Sequence, residues 1–307
     1  MPEKFPLPPD REAQAAQWPY DWVHNPDYPL ASGRGTVSGQ LMLHDAIKPE
    51  LNAKNAWVGL SGPADQPNSD FQFEASGYQF WTHAGDDGKF NLKNVRPGNY
   101  TLYAYTNGVL GQFQKMGIIV RAGATLQLGS LAWQSPHAGN RIAWEIGEPD
   151  RSAAEFGHGQ DYYLPLMYQQ LAKEVPNPLD FTIGKSDPAK DWYYAQASHG
   201  KGTESVWRIH FNLDRAPSGP ATLILAIAGA DRAKLNVGAN NNQVGKVDIP
   251  VQGGNGLVRE AVHTKYCASS ITIPMGRLHT GENVISLTLS AGDAGYVMYD
   301  YLSLELP

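Results

Sequence analysis

The residues best suited to ligand chemistry stand in Gly256-Leu257-Val258-Arg259-Glu260-Ala261-Val262-His263-Thr264-Lys265-Tyr266. In extended backbone, side chains alternate between faces, so Arg259, Ala261, His263 and Lys265 share one side and Val258, Glu260, Val262 and Thr264 the other. A guanidinium grips a carboxylate through two parallel hydrogen bonds, and a stripe of Arg, His and Lys suits an acidic sugar. The plainer reading is a solvated charged face, or a local ion pair between Arg259 and Glu260.

Sugar recognition also uses flat rings against the apolar face of a pyranose, with polar groups around them. Trp192, Tyr193 and Tyr194 are consecutive, so at least one should face outward; Trp192 and Tyr194 are the predicted substrate-facing rings, with Trp207 and Tyr162 behind them. The competing reading places these rings in a core, the usual fate of aromatics. Glu145, Asp150, Arg151 and Glu155 crowd another segment. A carboxylate pair for acid–base work is one reading, and a salt-bridged scaffold for an irregular loop is the favoured one. Asp86 and Asp87 stand in Gly-Asp-Asp-Gly, which a turn explains without calcium. Calcium through Asp300 has no supporting pattern, and no cofactor is expected. The histidines lack metal-ligand spacing, Cys267 has no base beside it in sequence, and no phosphate-cradling glycine loop occurs.

These side chains must be positioned by strands. Gly (32) and Pro (22) make up over a sixth of the 307 residues, a composition of turns and short strands. Charged residues are 18%, and the net charge is −6 with no basic block, which argues against nucleic acid. No run of about 18 apolar residues occurs, so no helical membrane span is expected, and Met1–Gln17 lacks the apolar stretch of a signal peptide. With one cysteine, no intramolecular disulfide forms.

Residues 1–33 read as a short helix and linker containing the aromatic cluster Trp18-Pro19-Tyr20-Asp21-Trp22. From Arg34, alternating runs separated by Gly85-Asp86-Asp87-Gly88 and Val95-Arg96-Pro97-Gly98 predict a small β-sandwich over 34–132. Residues 133–140 read as a polar linker. A second sandwich follows over 141–307, with a helix predicted over Tyr162–Glu174 and at least seven strands. Among these strands are Ala221–Ala228, Lys234–Val237, Asn283–Leu289 and Val297–Leu306.

Three groups of segments resemble polysaccharide lyase family 4, the rhamnogalacturonan lyases. They are Trp18–Trp22 leading to Arg34–Gly39; Trp144–Phe156; and Phe181–Gly184, Lys190–Ala195, Thr280–Asn283 and Met298–Leu302 together. The resemblance runs from about Asp10 to the end. It implies an all-β chain: a fibronectin-III-like (prealbumin-like, carboxypeptidase-regulatory-like) sandwich, then a galactose-binding-like jelly roll of carbohydrate-binding type. It also implies that the catalytic domain, which supplies the base and acid, is not among these residues and would join in cis or in trans. The implied partner is rhamnogalacturonan, or pectin, and the implied setting of the parent protein is secreted or periplasmic. The stretch around Arg259 and His263 resembles a family segment from which an arginine is thought to reach the substrate. Two functions follow: accessory domains that hold an acidic polysaccharide but are inactive alone, or a scaffold with no affinity of its own.

Overall fold

The structure is a computed structural model and describes residues 13–14, 16–62, 71–73, 78–161, 164, 167–200, 203–249 and 266–307. The chain divides into two compact units. The first comprises Met1–Met42, Ala53–Ala104 and Gln114–Ala132, and the second Leu43–Asn52, Tyr105–Phe113 and Trp133–Pro307. The segments Leu43–Asn52 and Tyr105–Phe113, and residues 133–140 read as a linker, thus group with the C-terminal unit.

The first unit is built on two β-sheets, with helical residues at 13–14 and 16 and short helical turns at Ala31–Gly33 and Phe71–Phe73. One sheet has the order β4-β1-β7, where β1 is Gly35–His44, β4 is Lys89–Val95 and β7 is Thr125–Gln134. The other has the order β3-β2-β5-β6, with β2 Trp57–Ser61, β3 Phe80–His83, β5 Gly98–Tyr105 and β6 Phe113–Val120. Alternation decides what is buried: Val37 and Leu41 of β1, Phe90 and Leu92 of β4, and Val58 and Leu60 of β2 all turn inward.

In the second unit, eight strands join through two long ones, β12 (Ala221–Ala239) and β15 (Gly281–Leu306). Sequence reading had divided each of these into shorter strands. Register shifts at Ala226/Ile227, Ile227/Gly229 and Asp231/Ala233 let β12 bend and continue against β15. The first half of β12 and the last half of β15 meet β14 (Cys267–Ile273) and β8 (Arg141–Gly147). The other halves form a layer ordered β13-β12-β15-β11-β9, with β9 Leu179–Thr182, β11 Ser205–Leu213 and β13 Asn242–Asp248. β10 (Ala195–Ala197) pairs with β15 between the two halves. Helix α1 is Met167–Glu174, and α2 is the single turn Pro188–Asp191, capped by Asp187 Oδ1 accepting from Ala189 N.

One core fills the space between the layers. Leu223, Leu225, Leu302 and Leu304 come from one side, and Trp207, Ile209, Phe211, Leu235 and Leu287 from the other. Trp144 meets Phe211 across it at 5.6 Å. The two outer faces differ. On the β8/β14 side, Leu110 packs on Ile224, Ala226 and Tyr301, and Ser303 and Glu305 are buried beside them. The presumed linker lies along β15 there, with Asn140 N donating to Leu306 O. Gly139 is required for this approach: a Cβ would stand 2.7 Å from the Glu305 Cβ and 2.8 Å from the Leu306 carbonyl oxygen.

Candidate functional site

Arg259, His263, Lys265 and Tyr162 lie outside the described residues. The predicted rings Trp192 and Tyr194 are both 0% exposed, which corrects their assignment as sugar-facing residues. Trp192 packs edge-on against Trp207 at 4.6 Å, Phe181 at 5.5 Å and Tyr299 at 5.6 Å, and Trp207 itself is buried. A ring without an open face stacks on no pyranose.

One ring of the triplet does face outward, and it is Tyr193 rather than Trp192 or Tyr194. Trp192 caps α2, and Tyr193 bridges to Gly157 outside any regular strand, so strict alternation does not apply. The partly exposed Tyr193 ring lies nearly parallel to His158, with centroids 6.1 Å apart and planes at 14°. His158 Nδ1 is 2.7 Å from Asp161 Oδ2, and Nε2 is 4.0 Å from Glu174 Oε2.

A broader polar surface is set by strand register. On the outer face of the five-strand layer, one row runs Asp180–Arg208–Ser286–Gly238–Gln243. A second runs Val206–Thr288–Asn236–Lys246, a third Thr182–His210–Val284, and Ser290 pairs with Lys234 beyond them. The alternate residues of these strands fill the core, so this face carries hydroxyls and amides in the middle and charges at the margins. Lys234 and Lys246 are exposed. Arg208 spans both oxygens of Asp180, with Nε 2.8 Å from Oδ1 and Nη2 donating to Oδ2 at 2.9 Å, and His210 Nε2 is 2.7 Å from Oδ1. Burial pushes the Asp180 carboxyl up, but His210 and Arg208 together hold it below the usual carboxylate range. The arrangement offers hydrogen bonds to sugar hydroxyls and fixed cations to carboxylates. The signal for it was present in β11 and β15, where polar residues alternate with apolar ones.

The Trp144–Phe156 segment serves the interior. Arg151 is buried with φ 71°, its guanidinium 4.4 Å from the Tyr105 ring and 4.3 Å from the Tyr266 ring, and Nη2 donates to Gln112 Oε1 at 2.8 Å. Asp300 Oδ1 accepts from the backbone N–H of Asp150, Arg151 and Ser152. Burial, then the charges of Asp150 and Glu155, pushes the Asp300 carboxyl well up. Burial also lifts Glu155 to about 7, with the charges of Asp150 and Glu148 adding to it. Glu145 accepts from Tyr301 Oη at 2.6 Å and pairs with Lys48 at 2.5 Å. Among the described residues, no group of three or more His, Cys, Asp or Glu is placed to hold a metal.

Two family models match the sequence: polysaccharide lyase family 4, domain II, over 53–128, and polysaccharide lyase family 4, domain III, described as CBM-like, over 142–304. A rhamnogalacturonate lyase of Dickeya dadantii is 34% identical over 303 residues, covering 95% of this chain and 47% of its own length. A probable rhamnogalacturonate lyase B of Aspergillus flavus is 30% identical, covering 94% of this chain and 50% of its own. The chain thus spans about half the length of these curated relatives. Among solved structures, a family 35 carbohydrate-binding module from Clostridium thermocellum aligns with 38% of this chain and 90% of its own at 23% identity, TM-score 0.26.

Proposed function

The chain belongs to polysaccharide lyase family 4, whose domains II and III it carries, and from that premise we propose that it is the substrate-holding part of a rhamnogalacturonan lyase. It grips an acidic rhamnogalacturonan and eliminates nothing by itself. The observation that carries this reading is the match to a CBM-like domain III, joined to an outer sheet face that is polar and cation-margined. β-Elimination needs the uronate carboxylate neutralised, a base for the adjacent proton and an acid for the leaving oxygen. Only the first falls to this chain, through Arg259 with His263 and Lys265, and through the Lys234/Lys246 margin. A polymeric substrate sets this work outside the cytoplasm. No helix among the described residues is long and apolar enough to cross a membrane.

Affinity electrophoresis in rhamnogalacturonan gels tests the grip, and ultraviolet detection of unsaturated uronate ends tests the chemistry. The parent protein should be retarded, Arg259→Ala should run faster, and no unsaturated ends should form. Equal migration of Arg259→Ala and parent removes Arg259 from the reading, and product formation by the isolated chain removes the reading itself. A scaffold without affinity is the second reading, favoured by the burial of Trp192 and Tyr194 and by the Arg208–Asp180 pairing. Unretarded migration of the parent protein selects it.

A further inference from the structure

The outer face of β15 holds an imidazole between two carboxylates, all in the second unit. His137 Nδ1 is 2.5 Å from Glu305 Oε1, and His137 Nε2 is 2.8 Å from Asp45 Oδ2. The side chains are 6%, 1% and 0% exposed for His137, Asp45 and Glu305. The remaining carboxylate oxygens are used by backbone: Glu305 Oε2 accepts from Ala138 N at 2.8 Å and Gly139 N at 2.9 Å, and Asp45 Oδ1 from Ile47 N at 2.9 Å and Lys48 N at 2.7 Å.

A neutral imidazole has one N–H and one lone pair. Both carboxylates here act as acceptors, so satisfying both contacts requires N–H on both ring nitrogens. The geometry is that of an imidazolium between two anions. Removing its proton turns one contact into lone pair against lone pair and leaves a buried carboxylate without its counter-charge. Ionisable groups beside the cluster include Lys48 and Glu145, paired with each other at 2.5 Å, Tyr301, whose hydroxyl donates to Glu145, and His44, whose backbone carbonyl accepts from Ser135 N. None of them replaces the lost charge on His137.

We propose that Asp45, His137 and Glu305 form a proton-operated latch. It pins the 45–48 turn and the 135–139 segment to β15 while His137 is protonated, and it loosens when that proton leaves. Hydrogen bonding to Glu305, then to Asp45 and against the cost of burial, raises the His137 pKa above its ordinary 6.5. The closed latch therefore binds the proton more tightly than the open one. Closure is fully favoured below about 6.5 and is lost as pH rises through the raised value.

Hydrogen–deuterium exchange of the intact chain across pH tests this directly. After correction for intrinsic exchange, the Ile47, Lys48, Ala138 and Gly139 amides should exchange faster by about tenfold per pH unit between about 6.5 and the raised His137 pKa, then level off. Amides in the β11–β15 ladder should show no such rise. In His137→Gln, which donates one hydrogen bond and does not titrate, the four amides should exchange quickly at every pH. Corrected protection that stays flat with pH in the parent chain, which involves no substitution, overturns the latch. So does a His137 titration, followed by its ring proton resonances, at the value of a free imidazole.

Discussion

A carboxylate that loses part of its hydration costs stability once it ionises, and the half-buried Glu155 is such a group. Burial, reinforced by the charges of Asp150 and Glu148, lifts its pKa from 4.5 to about 7. The folded state therefore binds this proton more tightly than the unfolded chain. Its contribution is fully present below 4.5 and is lost as pH rises through about 7, a loss on the order of 3 kcal/mol. Replacing Glu155 with Gln removes the charge and keeps an oxygen to accept from Glu148 N, now 3.1 Å from Glu155 Oε1. Denaturant unfolding should find Glu155→Gln more stable than the parent by about 2–3 kcal/mol at pH 8, the gap closing towards pH 4.5. A gap of constant size would place the cause elsewhere. In the sequence this residue sits in a cluster of charges read as a salt-bridged scaffold; Glu145 does pair with Lys48, whereas Arg151 is held by two rings and Gln112 and Glu155 accepts from backbone. The setting of Arg151 was not legible, because Tyr105 and Tyr266, which enclose it, come from distant parts of the chain.

Elements were legible where alternation is strict and illegible where the backbone departs from it. β4 follows directly from its alternation and from the Gly-Asp-Asp-Gly turn before it, whereas β5 alternates in sequence but is buried on both faces from Tyr100 to Tyr105. β12 and β15 were broken in the reading because bulges interrupt the period, although the hydrogen-bond ladder continues past them. An outward Trp192 or Tyr194 requires regular strand geometry before β10, and that segment is a helix cap followed by an isolated bridge. Pairing between elements was the least visible level. Gly59 of β2 faces Trp81 of β3, whose indole lies flat over the position a side chain would occupy, with Nε1 donating to Gln79 Oε1 at 2.9 Å. Phe71 meets the edge of the same ring at 4.9 Å. A methyl at residue 59 would fall inside the indole's van der Waals surface, so Gly59→Ala must lift Trp81 from the sheet. Such overpacking should cost about 1–3 kcal/mol in an unfolding experiment. Unchanged stability would mean that the ring has another low-energy seat.

At the scale of the whole chain, a net charge of −6 repels a polyanionic polysaccharide, so any grip on it must be local. Salt screens exposed charges over about 8 Å at physiological ionic strength, which leaves a cation margin effective only on contact. Lys234 and Lys246 stand beside the hydroxyls and amides of Ser290, Thr288 and Asn236 on the open outer face of the second unit. Both are exposed, so reversing their charge leaves the core untouched. The double variant Lys234→Glu, Lys246→Glu should lose most of its retardation in acidic rhamnogalacturonan gels and keep whatever retardation the parent shows in a neutral polysaccharide. Raising the salt should push the parent towards the variant's behaviour in the acidic gel alone. Two patterns would separate the cationic surfaces. If the double variant migrates as the parent does while Arg259→Ala does not, the open face plays no part and the grip lies with Arg259, His263 and Lys265. If both are impaired in the acidic gel, the uronate-bearing chain is held at both places.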